Sequence, residues 1–439
     1  MTYIHNDSDN TLTSLYKTMQ YGPSDLPEIR VAARLTTGSS PDIGGGGNIN
    51  TGVDAFGRLR VSSPYTLFDS QNRYAVNSKF SFDAVSGGST LLLQNESTVE
   101  LSVSDVSGSR VYAESKRVFP YQPGKSLLIY TTFVFAEPKE NLRQRVGYFG
   151  TQNGIFLEQV GSDVHICKRS FTTGAAVDTA IAQENWNVDK MDGSGPSGIE
   201  LDLTKAQIFF IDIEWLGVGS VRTGFVINGN YYITHIFNHA NHVTSVYMST
   251  ACLPVRYEIE NTSATTGSSN MKMICSSVIS EGGFNPTGAT FSASTGTTAK
   301  RLSTSGVFYP VVSIRLNSNR LDAVVQPVQA DILSPSVNYY RWEVRFNPTL
   351  TGANWQVHEN GTVDYDVTAT AVTGGITVAS GYASSRELTN LGDGDNFALQ
   401  IGRSLAGVSD VITLCLAATS SNADVLAGVG WKETVPSFQ

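Results

Sequence analysis

Two stretches in the last third of this 439-residue chain repeat with a period of two. In the first, Tyr340, Trp342, Val344 and Phe346 alternate with Tyr339, Arg341, Glu343 and Arg345. In the second, Val363, Tyr365, Val367, Ala369 and Ala371 alternate with Asp364, Asp366, Thr368 and Thr370. Successive side chains of a strand point to opposite faces, so this spacing gathers each apolar set on one side, whereas a helix would scatter it. Phe209, Ile211, Ile213 and Trp215 repeat the pattern, with Asp212 and Glu214 between them. Leu127 to Phe135 (LLIYTTFVF) is nearly continuous in β-branched and aromatic residues, as a strand covered on both faces would be. Asn228-Gly229-Asn230 lies between GFVI and YYITHIF and predicts a hairpin, because Asn and Gly tolerate the positive φ of a tight turn. Long surface helices need Glu, Lys, Arg and Ala in quantity. Charged residues are only 16% here, against about 25% in an ordinary soluble domain. Helical bundles, solenoids and coiled coils are thereby excluded, and an all-β sandwich is expected.

Four regions follow from the shifts in pattern. Residues 1–62 have weak periodicity and contain Gly44-Gly45-Gly46-Gly47, a run with no side chains to bury, so an extended N-terminal arm ordered only by a neighbour is expected. Residues 63–262 form a β-sandwich region. Residues 263–306 are dense in Ser, Thr and Gly and are expected as a linker or long loops. Residues 307–439 form a second β-sandwich or the second half of the same one.

Thirty basic against 39 acidic residues give a formal net charge of −9, and no stretch gathers the Lys and Arg that a phosphate backbone requires. Nucleic acid is not an expected partner. The greasiest stretch, Ile208 to Trp215, is interrupted by Asp212 and Glu214, so no membrane insertion is expected. Met1 to Asp7 has neither a basic nor an apolar segment, and the expectation is a chain made and assembled in a cytoplasm without a cleaved signal. Cys167, Cys252, Cys275 and Cys415 include no Cys-x-x-Cys pair and read as buried, reduced thiols.

Candidate chemistry is sparse. His235, His239 and His242 are spaced closely enough to suggest a shared metal, but a strand would carry the first about 20 Å from the last. Imidazoles bonded to a loop backbone or lying at a subunit contact are the expected reading. Asp364 and Asp366 share a strand face, as the acid and base of a glycosidase could, yet alternation already explains them as a solvated face. Asp393-Gly394-Asp395-Asn396 resembles a fragment of a calcium loop without the remaining ligand series. Gly124-Lys125-Ser126 lacks the first glycine of a phosphate-binding loop, and Ser197 lacks the glycine two residues on that a nucleophile elbow needs. Trp215, Trp342 and Trp355 sit in or beside strand patterns and are expected in the core. No catalytic, cofactor-binding or metal-binding residue is assigned, and no cofactor is expected.

Val146 to Ser170 (VGYFGTQNGIFLEQVGSDVHICKRS) resembles a laminin-G or concanavalin-like sandwich, which implies a jelly-roll or concanavalin-like fold. The blocks Asp54 to Ser70, Glu214 to Asn261 and Asn347 to Ile376 resemble, in their order, virion structural proteins of tailed phages, cyanophages in particular. That resemblance implies a non-enzymatic part of a tail fibre, baseplate, neck or capsid decoration. It would be located in the virion and act by self-assembly and by docking to other virion proteins. A homotrimer is favoured, since three copies can hide each other's sheet edges. The alternatives are a host-glycan-binding module of a tail fibre or, below that, a glycan-cleaving tailspike. Tailspike enzymes of the parallel β-helix kind carry a short internal repeat, which this sequence lacks.

Overall fold

The computed structural model describes residues 64–285, 287–335, 338–384, 386–390 and 399–434. The expected arm, Asp393 and Asp395 lie outside the described residues. Within them, 28 strands and one short 3-10 turn are present, and every strand pairing is antiparallel, so the all-β sandwich class expected from the alternation is what the chain forms.

The first sandwich packs an eight-stranded sheet on a seven-stranded one. The eight-stranded sheet runs Asn230–Phe237, Val221–Ile227, Gln207–Ile213, Ser126–Val134, Ser269–Glu281, Thr98–Val103 and Ser89–Leu93, with Tyr65–Ser70 also pairing Ser269–Glu281. The seven-stranded sheet runs Val177–Ala182, Asp163–Ser170, Gly154–Val160, Leu142–Phe149, Val255–Asn261, Arg110–Ser115 and Phe80–Val85. Inward residues of both, among them Phe133, Phe209, Phe225, Tyr148 and Tyr257, form one core. Asn228 and Gly229 both take positive φ, 53° and 80°, and close the hairpin where the sequence places it.

The second sandwich has its own core, built around Trp431, Trp342, Tyr340 and Leu414. One sheet runs Ala289–Ser294, Ala423–Glu433, Val325–Leu333 and Arg386–Asn390, with Lys300–Leu302 also pairing Ala423–Glu433. The other runs Gln356–Val357, Val363–Asp366, Tyr309–Leu316, Val411–Ala418, Tyr340–Phe346 and Ile376–Ala383. A segment of this second half reaches across to the first. Arg403 N–H donates to the Lys116 carbonyl at 2.6 Å, the Gln400 amide to the Val118 carbonyl at 2.9 Å, and Leu405 N–H to the Ser81 hydroxyl at 3.1 Å.

Two expectations change. The stretch 263–306 is not a linker: Ser269–Glu281, the longest strand at 13 residues, lies between Ser126–Val134 and Thr98–Val103, and Ala289–Ser294 and Lys300–Leu302 follow it. Its small polar residues conceal the strand because a shift of register between Met273 and Ser276 interrupts the alternation. Ser126–Val134 is packed on one face, but Tyr130, Thr132 and Val134 on the other are only half-buried.

Candidate functional site

Strand parity on the seven-stranded sheet sends Val146, Tyr148, Leu157, Ile166 and Tyr257 into the core and their neighbours to the outer face. On that outer face lies a lattice of charges. Arg145 donates to Glu158 at 2.5 Å and reaches Glu258 at 3.5 Å; Arg256 donates to Glu258 and Glu114, each at 2.5 Å. Arg403, arriving from the second sandwich, pairs with Glu114 at 2.8 Å. Arg169 donates to both carboxylate oxygens of Asp178 from Nε and Nη2, at 2.7 and 2.8 Å, and Arg143 and Tyr112 both donate to Glu260. Five guanidinium groups thus face five carboxylates, and Arg145, Arg256, Glu114, Glu158 and Glu258 are buried. Phe149 and Phe156 lie against these cations, with Arg169 and Arg145 each 5.2 Å from the Phe156 ring.

Buried ions of this kind are costly unless every one is paired, and here the pairing is reciprocal. Burial alone would raise the Glu260 and Asp178 carboxyls. Hydrogen bonds from Tyr112 and Arg169, and the charges of Arg143 and Arg169, overcome it and hold both below the usual carboxylate range. Burial would likewise lower Arg145 and Arg256, and the facing glutamates raise both instead. A general acid at neutral pH needs its carboxyl raised. Glu260 and Asp178 are driven the other way, which keeps both ionised against their arginine partners.

The three histidines do not converge. His235 sits buried in Asn230–Phe237 and accepts the Asn187 N–H at 3.3 Å. His239 follows that strand, stacked on Tyr247 with ring centroids 3.8 Å apart. Its Nδ1–H donates to the Gly219 carbonyl at 2.6 Å and its Nε2 accepts from the Lys168 ammonium at 3.0 Å, an arrangement that requires the neutral ring. Burial presses both imidazoles down to about 4; Lys168 adds to this in each, while the Gly219 carbonyl opposes it in His239. His242 is exposed, and its N–H closes a turn onto the His239 carbonyl. Among the described residues no three His, Cys, Asp or Glu side chains gather as a metal site.

The two aspartates correct the expectation of a solvated face, since Asp364 is 5% and Asp366 1% exposed. Asp366 accepts the backbone N–H groups of Asn354, Thr368 and Ala369 and the Thr368 hydroxyl, all within 3.0 Å, and so ties two loops together. Asp364 accepts from Arg315 at 3.3 Å and from Asn317 at 2.7 Å. Cys167 and Cys415 are buried and burial pushes the Cys415 thiol up to about 12, but Cys252 and Cys275 are only half-buried, against expectation. Trp342 is in the core as expected; Trp355 instead lies half-buried under the Arg315 guanidinium, 4.2 Å away. Gly124 has a φ of 83° in the turn before Ser126–Val134, and Ser197 N–H donates to Asp189 in a loop.

The surface feature that sequence reasoning missed is an edge. Ile376–Ala383 is the last strand of its sheet and pairs only with Tyr340–Phe346 among the described strands. It lies close on the core because Gly381 has no side chain: a Cβ there would stand 2.6 Å from the Trp342 indole. Ile376 is 66% and Tyr382 79% exposed, Val378 is exposed, and Tyr339, 62% exposed, flanks the paired strand. Arg341, directly opposite Tyr382, is also exposed. The preceding Val372-Thr-Gly-Gly-Ile could have signalled a turn into a strand, but an edge depends on which strands pair, which local sequence does not state.

No protein-family model matches this chain, and no curated protein matches it in sequence. Solved structures similar to it include a protein of unknown function from Shewanella oneidensis MR-1, at 10% identity and TM-score 0.33, covering 53% of this chain and 90% of that one. Others are a Bauhinia forficata lectin in complex with GalNAc (12%, TM-score 0.29, covering 50% and 98%) and the Emp47p carbohydrate recognition domain (10%, TM-score 0.30, covering 49% and 95%). At such identities and TM-scores the likenesses carry no inference about what this chain does.

Proposed function

We propose that this chain is a non-enzymatic structural part of a tailed-phage particle. It would act by self-assembly, as a homotrimer, and by docking to other virion proteins. The observation that carries the reading is the edge strand Ile376–Ala383, which pairs on one side only among the described strands and carries exposed Ile376, Val378 and Tyr382, the features that strand-to-strand docking uses. The resemblance of the blocks around Asp54, Glu214 and Asn347 to virion proteins supplies the setting. The charge lattice is consistent with it, because its carboxylates are each paired with an arginine. In this reading the chain is made in the host cytoplasm and ends in the virion. The test is to purify particles and count this chain: a fixed stoichiometry in a map that places Ile376–Ala383 against a neighbour is expected. Particles complete without the chain would defeat the reading.

A further inference from the structure

One end of the second core holds polar atoms that the assembly reading does not use. Glu433, the last residue of Ala423–Glu433, shares the parity of Trp431, so it points inward and is 1% exposed. Its Oε1 accepts the Trp431 indole N–H at 3.0 Å and the Thr362 backbone N–H at 2.9 Å, whereas Oε2 is buried without a hydrogen-bond partner. Thr362 belongs to the hairpin loop between Gln356–Val357 and Val363–Asp366, which the His358 N–H closes on the Val363 carbonyl at 3.0 Å. That loop contributes two more buried atoms without a partner, His358 Nδ1 and the Thr362 hydroxyl. Between them Gly361 leaves a cradle: a Cβ there would stand 2.9 Å from Glu433 Oε1 and 3.2 Å from His358 Nδ1.

A buried carboxylate is costly unless a cation meets it, and among the described residues no Lys or Arg pairs with Glu433. The imidazole does not bond it either, and the edges and faces of Phe291 and Trp431, with centroids 5.3 and 5.2 Å from that of His358, hold the ring where it is. A water molecule would satisfy two of the three atoms and leave the charge unbalanced. A cation satisfies the carboxylate oxygen, the imidazole lone pair and the hydroxyl oxygen together. One nitrogen and two oxygens suit a divalent transition ion such as zinc, whereas calcium takes six to eight oxygens. Three protein donors leave the fourth position of a tetrahedral ion to water.

We propose that Glu433, His358 and Thr362 bind one divalent transition-metal ion, which pins the hairpin loop to the last described strand. The site lies in the second sandwich, apart from Val146 to Ser170 on which the sandwich resemblance rests, and it is independent of the edge strand that assembly uses. It is tested by titrating zinc chloride into the chelator-treated full chain, by calorimetry and by melting temperature. One equivalent should bind and raise the melting temperature. Glu433→Gln keeps an acceptor for Trp431 and Thr362 but removes the charge, and His358→Gln removes the nitrogen donor; each should weaken binding about tenfold or more. Gly361→Ala, at a backbone outside the left-handed region, should do the same by filling the cradle. His242→Gln, at an exposed histidine of the first sandwich, should leave binding unchanged. His358 is half-buried, so its variant decides alone if Glu433→Gln unfolds. A native chain that does not bind zinc, binding that the folded variants retain, or binding that His242→Gln removes overturns the proposal.

Discussion

The two sandwiches treat their outward faces in opposite ways. In the first, the outer face of the seven-stranded sheet is closed by ions that satisfy one another, down to Glu114 at 1% exposure. In the second, the outermost strand of the six-stranded sheet leaves Tyr382 and Ile376 exposed and has one partner among the described strands. Five guanidinium groups and five carboxylates cannot be rearranged without stranding a buried ion, so the first surface is fixed. Exposed apolar groups on such an edge are covered when a further strand pairs with it, so the second is the surface that the proposed docking would use. Arg403 joins the two regimes, since it belongs to the second half yet completes the lattice of the first.

Truncation should expose this contrast most strongly. Phe133→Ala in the first core and Trp431→Ala in the second should each cost about 3–5 kcal/mol in denaturant unfolding, both side chains being fully buried. If the cores are independent, each substitution lowers one transition and leaves the other in place; a single shared transition would mean that the contacts at Arg403 couple them. A similar loss, about 3–5 kcal/mol, is expected for Arg256→Ala, which leaves Glu114 and Glu258 short of a partner. Arg341→Ala on the second sandwich should cost about 1 kcal/mol or less, because Arg341 is exposed and Arg345 still holds Glu343. Equal losses at Arg256 and Arg341 would erase the distinction between a closed and an exposed face.

Acid sharpens it further. The His235 and His239 rings, pressed down to about 4, exclude a proton that the unfolded chain takes up near pH 6.5. Their contribution is therefore full above about pH 6.5 and is lost as the pH falls from there toward 4. The melting temperature of the first sandwich should drop across that window, and His239→Gln should flatten the drop. An unchanged slope would remove His239 from the account.

The alternation at Tyr340–Phe346 and the Asn228-Gly229 turn are local signals, and the sequence displays them directly. The strand Ser269–Glu281 escaped because a bulge breaks its period and Ser, Asn and Lys dilute it. Burial of Asp366 was illegible because its donors come from Asn354 and Ala369, held by loop geometry. The lattice was equally hidden: Arg256 meets Glu114 from 142 residues away, a distance over which charge patterning says nothing. Class is written in periodicity, but sites assembled from distant strands are not.

The smallest effect on folding and the largest on assembly should come from the edge strand. Ile376→Lys with Val378→Lys is expected to change stability by about 0.5 kcal/mol or less, as exposed substitutions do. The measurement that tests the central claim most directly is therefore the mass in solution by light scattering, for the native chain and this double variant. The account predicts a native mass near three times 47.2 kDa and a variant mass of 47.2 kDa. A native chain that stays single at every concentration, or a variant that still assembles, would contradict it.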